Sequence, residues 1–90
     1  MMRADNATAT VDGNALAGIL SEAFAGDVTL LIGVCDGCGQ AAPLAETVVE
    51  LDETAAIVRC RSCTHTLLTA LREGDGVRVV FGMLRELSRR

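Results

Sequence analysis

Two pairs of cysteines constrain this chain more than any other feature. Cys35-Asp36-Gly37-Cys38 and Cys60-Arg61-Ser62-Cys63 each have the form C-x-x-C, and 21 residues separate them. A two-residue spacer lets a tight turn carry both sulfurs to one side, so each pair supplies two corners of a tetrahedron with metal–sulfur bonds of about 2.3 Å. The motif carries extra weight in a chain of 90 residues. A domain so short buries only about two thirds of the surface its unfolded chain exposes, and often needs a staple. Half the chain is apolar, yet Phe24 and Phe81 are its only aromatic residues, and its many alanines and valines contribute less burial than leucine or phenylalanine would.

The residues around the cysteines favour a metal over a disulfide. Met1 to Asp12 has no apolar stretch of the secretory kind, and the longest uncharged apolar run, Val28 to Cys35, is far below the roughly 20 residues of a membrane span. The expectation is a cytoplasmic protein without membrane contact, where thiols stay reduced and paired C-x-x-C spacing points to metal. Cys35, Cys38, Cys60 and Cys63 are the predicted ligands. Zinc is preferred, and iron is the lesser alternative because the aromatic residues usually packed around a rubredoxin-like centre are missing. Gly37 and Gly39 suit a turn that needs left-handed backbone angles; Ser62 and Thr64 fit the second turn less easily but can add hydroxyl donors. Four thiolates and a divalent ion sum to roughly −2, so Arg59 and Arg61, which flank Cys60, are candidates to offset that charge, with solvated strand arginines as the equal alternative. His65 is the only histidine. It could replace a cysteine as ligand, but with four thiolates closing the shell it reads as a surface or strand histidine.

A closed shell leaves no position for water, so the metal is expected to be structural and the protein not an enzyme. No catalytic residue and no further cofactor site is predicted. A thioredoxin-like role would need one C-x-x-C opening a helix in a βαβ unit. A hydrolase would need a histidine base beside its nucleophile, and Ser62 and Cys63 are better explained by the turn. Glu46, Glu50, Asp52 and Glu53 read as a solvated hairpin edge, and no glycine here is followed by the lysine and helix of a phosphate loop.

Hydrophobic patterning sets the expected elements. Residues 1–11 read as a flexible tail and 12–90 as a single domain. Leu16, Ile19, Leu20, Ala23 and Phe24 share one helical stripe, which predicts an amphipathic helix over 12–26, capped by Asp12 or Asn14 and ended by Gly26. Strands are expected over 28–34, within 44–51, over 55–59 and over 77–81. The segment 64–72 fits either a helix or a strand, and the strand is preferred because Glu73-Gly74-Asp75-Gly76 makes a good hairpin turn. Met83 to Arg90 reads as a tail with Leu84 and Leu87 at i, i+3. The fold class is small α+β, mostly β: a zinc ribbon of three to five antiparallel strands with two cysteine knuckles, preceded by the helix.

Asp12-Gly13-Asn14-Ala15-Leu16-Ala17-Gly18, Glu22-Ala23-Phe24-Ala25, Asp27-Val28-Thr29, Cys35-x-x-Cys38-Gly39, Pro43-Leu44-Ala45-Glu46 and Arg59-Cys60-x-x-Cys63 together resemble an uncharacterised short zinc-ribbon family, bacterial and mainly actinobacterial. The resemblance covers about Asp12 to Arg72 and implies the metal and the fold without implying an activity. Charge adds a second clue. Residues 1–58 hold one basic group against nine acids, whereas 59–90 hold seven arginines against three acids. The leading expectation is a non-enzymatic protein-binding or adaptor module that offers its helix or its arginine-rich half to a partner. The alternatives are a nucleic-acid-binding ribbon, disfavoured by the net charge of −4 because phosphate binding needs basic groups, and a thiol-based redox or zinc switch.

Overall fold

A computed structural model describes residues 9–20, 24 and 26–89. The strands are β1 (Ala9–Asp12), β2 (Ile32–Cys35), β3 (Ala41–Pro43), β4 (Val48–Leu51), β5 (Ala55–Arg59), β6 (Thr66–Glu73), β7 (Gly76–Phe81) and β8 (Leu84–Ser88). They form a five-stranded sheet, β1-β4-β5-β6-β7, and a three-stranded sheet, β3-β2-β8, with every pairing antiparallel. The eight strands among the described residues exceed the three to five expected. The additional ones are β1, β3 and β8, each at a sheet edge and each lacking a clean apolar alternation.

β1 corrects the expected tail. Ala9 to Asp12 pair with β4 from Leu51 to Val48, and because all four residues are exposed they carry no hydrophobic signature of a strand. Residues 1–8 lie outside the described residues. β8 corrects the second tail. Val34 pairs with Glu86 but Cys35 with Leu84, so Arg85 is an extra residue in a bulge. That insertion lets Leu84 and Leu87, three apart, both pack on the core.

The expected helix over 12–26 is shorter where it is described. Asp12 accepts the Asn14 N–H at 3.0 Å and caps a 3₁₀ turn, Gly13–Ala15, which leads into α1 (Leu16–Leu20). Leu16, Ile19 and Leu20 are buried as the stripe predicted, and the Phe24 N–H donates to the Leu20 carbonyl at 3.0 Å. Residues 21–23 and 25 lie outside the described residues. A Cβ on Gly13 would stand 1.6 Å from the Leu44 carbonyl oxygen, so the Asp12-Gly13-Asn14 block serves as a cap and a close backbone approach.

Two predicted strands begin as 3₁₀ turns. Asp27 accepts the Thr29 N–H at 3.0 Å and the Thr29 hydroxyl at 2.6 Å, which curls Val28–Leu30 and leaves β2 to start at Ile32. Leu44–Glu46 curls after Pro43, with the buried Thr47 hydroxyl donating to the Leu44 carbonyl at 2.7 Å. β6 is a strand as preferred. Val58 pairs with Leu68 but Arg59 with Thr66, so Leu67 sits in a bulge and both consecutive leucines are buried. Val49, Ala56, Val58, Leu68 and Ala70 line the inner face of the larger sheet and pack in one cluster with α1, Val28, Leu31 and Leu44. Cys35 and Cys60 belong to that cluster, which joins the core to the site.

Candidate metal centre

Each C-x-x-C pair starts where a strand leaves its ladder. Cys35 ends β2 and Cys60 follows directly on β5. The two turns then repeat one hydrogen-bond pattern. The Gly39 N–H donates to the Cys35 carbonyl at 2.7 Å and the Thr64 N–H to the Cys60 carbonyl at 2.9 Å; the Cys35 N–H donates to Gln40 O at 3.0 Å and the Cys60 N–H to His65 O at 2.9 Å. The residue after the second cysteine is left-handed in both, with φ of +79° at Gly39 and +66° at Thr64. Threonine therefore holds an angle that glycine adopts without strain. Gly37 does not have a positive φ, contrary to expectation; a Cβ there would lie 2.8 Å from His65 Nδ1. The sixth residue of each turn thus reaches the third residue of the other, His65 against Gly37 and Gln40 against Ser62, whose hydroxyl donates to Gln40 Oε1 at 3.0 Å.

All four sulfurs lie within 4.8 Å of one another. Two separations cross between turns at 3.5 Å for Cys35–Cys63 and 3.6 Å for Cys38–Cys60. A tetrahedron with bonds of about 2.3 Å has edges of roughly 3.8 Å, whereas a disulfide bond is about 2.0 Å long. The spacing fits a common ion and excludes cystines; all four cysteines are free. Soft, closely set thiolates select ions such as zinc or iron, so the donor set suits the group the motif implies.

The sulfurs differ in surroundings. Cys35 and Cys60 are buried, Cys63 is half-buried and Cys38 is exposed. The Gly37 N–H donates to Cys35 Sγ at 3.3 Å. Burial pushes the Cys60 thiol up, but the N–H groups of Cys63 and Ser62 and the thiols of Cys38 and Cys63 outweigh it and hold Cys60 at about 7. Cys63 receives the His65 backbone N–H, which draws it down, yet burial and the thiols of Cys35, Cys38 and Cys60 push it up to about 12. Cys38 is also raised, because burial and the Cys60 thiol outweigh the bond from the Gln40 N–H. Four sulfurs so close cannot all ionise without a cation among them.

Arg59 and Arg61, the two candidates for offsetting this charge, are engaged elsewhere. Arg59 donates to Glu50 Oε1 at 3.0 Å and to the Thr66 hydroxyl at 3.1 Å, and Arg61 donates to the Glu46 carbonyl at 3.3 Å. Among the described residues, the sulfurs meet one another and backbone N–H groups instead, with one further side chain. His65, exposed as expected, places Nδ1 3.0 Å from Cys63 Sγ. Its position two residues after Cys63 is the sequence signal that points to this contact; nothing in the sequence marks Gln40. The arginine-rich half is not a basic face by itself: Arg59 pairs with Glu50 at 3.0 Å, Arg78 with Glu73 at 2.7 Å and Arg85 with Asp36 at 3.2 Å. No helix among the described residues is long and apolar enough to cross a membrane.

A model for a family of unknown function (DUF6510) matches residues 5–90. No curated protein and no solved structure matches the chain.

Proposed function

The chain belongs to the family of unknown function DUF6510, and on that premise we propose that it is a non-enzymatic binding module whose fold is held by one structural zinc ion on Cys35, Cys38, Cys60 and Cys63. The observation that carries this reading is the four-sulfur group, every member within 4.8 Å of the others. Its residues fit the ion in number, softness and spacing. A tetrathiolate shell has no vacant position for substrate or activated water, so zinc at this site would cross-link the two knuckles, in the manner of a zinc ribbon, and supply no catalysis.

The binding role is supported by which surfaces remain free. The apolar stripe of α1 is spent on the core, which argues against the helix as the partner's seat. In the arginine-rich half, β7 is an outer strand of the larger sheet. It leaves Val80 at 46% and Phe81 at 57% exposure, with neither proline nor lysine to blunt its edge. A protein partner adding a strand there would cover both side chains. The cytoplasm, where zinc thiolates persist, suits such a module. Metal analysis of the purified protein should give about one zinc per chain. Phe81→Asp should keep the zinc while losing whichever partner the native protein retains from its host; retention of that partner by Phe81→Asp would remove β7 from the account. Nucleic acid is the weaker candidate, since three of the seven arginines in 59–90 face carboxylates. Binding to duplex DNA that falls steeply with salt would restore it.

Exposure of Cys38 favours one second reading, a thiol switch. Peroxide accepts two electrons from the Cys38 and Cys60 thiolates, with two protons, to give a Cys38–Cys60 disulfide and two waters, and the ion leaves. Release at low peroxide, followed with a zinc indicator, is the result this reading requires; a site that yields only to harsh oxidation contradicts it.

A further inference from the structure

We propose that His65 is a reserve metal ligand that takes the coordination position of Cys63 when that thiolate is lost. The inference rests on the metal reading above and concerns the same site. His65 Nδ1 is 3.0 Å from Cys63 Sγ, closer than Cys63 Sγ is to Cys35 Sγ at 3.5 Å. The donor is therefore already beside the corner it would fill. Imidazole nitrogen binds zinc at about 2.0–2.1 Å, slightly shorter than sulfur, and three thiolates with one histidine form a common closed zinc site.

Three features of this chain place the ring there. The left-handed angle at Thr64, φ +66°, reverses the backbone and folds His65 back on the cysteine two residues before it. The His65 carbonyl accepts the Cys60 N–H at 2.9 Å, which fixes the backbone while the exposed side chain keeps room to turn. Gly37 opens the space between the knuckles: a Cβ at that position would stand 2.8 Å from Nδ1 and 3.2 Å from Cε1. The first knuckle has no equivalent. Gln40 occupies the matching place, but its side-chain oxygen accepts the Ser62 hydroxyl, and a neutral amide is a poor ligand for a soft ion. The four cysteines are consequently not interchangeable. Cys63 alone has a nitrogen donor at hand, and substitution there lowers the thiolate count from four to three and the negative charge by one.

Cobalt and zinc reconstitution of the wild-type chain, Cys63→Ala, Cys60→Ala, His65→Ala and the double variant Cys63→Ala with His65→Ala provides the test. Cys63→Ala should retain about one metal per chain, with a tetrahedral cobalt spectrum whose sulfur-to-metal absorbance falls by about a quarter. The double variant and Cys60→Ala should lose the metal, while His65→Ala alone should keep it. If Cys63→Ala loses its metal or fails to fold, or if the double variant binds as well as Cys63→Ala because water fills the corner, the inference is overturned. A wild-type chain that takes up no metal would instead overturn the reading on which it rests.

Discussion

Thr64 and Gly13 carry the sharpest expectations for single residues. Thr64 holds φ at +66°, a left-handed conformation that costs a β-branched residue of order 1 kcal/mol or more. Thr64→Gly should therefore stabilise the metal-loaded protein by about 1 kcal/mol, read as a rise in its thermal midpoint; an unchanged or lower midpoint would mean that the Thr64 hydroxyl, which donates to the Cys63 carbonyl at 2.6 Å, matters more than the backbone angle. Gly13 is the opposite case. A Cβ there meets the Leu44 carbonyl oxygen at 1.6 Å, and neither partner is a flexible side chain. Gly13→Ala should cost about 3 kcal/mol or more, and a urea midpoint near that of the unaltered protein would show that the turn and Leu44 can separate.

The strands depend on two bulges, and each has a testable register. The extra residue Leu67 lets Leu67 and Leu68 both enter the core, while Leu71 pairs with Ala55 and lies on the opposite face of β6 from the buried Leu68 and Ala70. Leu68→Ala should cost about 3 kcal/mol and Leu71→Ala about 1 kcal/mol or less. Equal losses in chemical denaturation would place the bulge elsewhere. The same feature explains how far these elements were legible. β5 and β7 alternate regularly and are read directly from Ala55 to Arg59 and Val77 to Phe81. Leu84 and Leu87 stand at a helical spacing that only the Arg85 bulge reconciles with a strand, and a bulge is visible only once the partner is known. β1 gives no apolar signal because both its faces are exposed. Val28–Leu30 and Leu44–Glu46 have strand-like composition, but the Asp27 cap and the Thr47 hydroxyl bond curl them into turns. The cysteine pairs were legible because their spacing is local; the contacts of His65 and Gln40 across the knuckles depend on how the two turns meet.

At the scale of the whole molecule, folding sets two arginines of the basic half against carboxylates of the acidic half, Arg59 against Glu50 and Arg85 against Asp36, while Arg78 pairs with Glu73 inside its own half. The stabilising contribution has to come from a core cluster that ends on Cys35 and Cys60 and from whatever holds the sulfurs together. Metal binding needs thiolates, and Cys63 at about 12 and the raised Cys38 hold protons at neutrality when no ion is present. An ion that displaces those protons lowers the effective pKa of the loaded thiols, so the stability it adds is present at neutral pH and is lost on acidification. Apparent zinc affinity, measured against a chromophoric chelator, should fall steeply from about pH 8 to about pH 6; a flat profile would mean that the ion is held by groups already ionised. Cys38 offers the most direct test of the fold's dependence on the ion, because its side chain is exposed and Cys38→Ala opens no cavity in the core. Metal analysis and circular dichroism of that variant should find it empty of metal and without cooperative unfolding. A metal-free Cys38→Ala protein that still melts cooperatively would contradict the account.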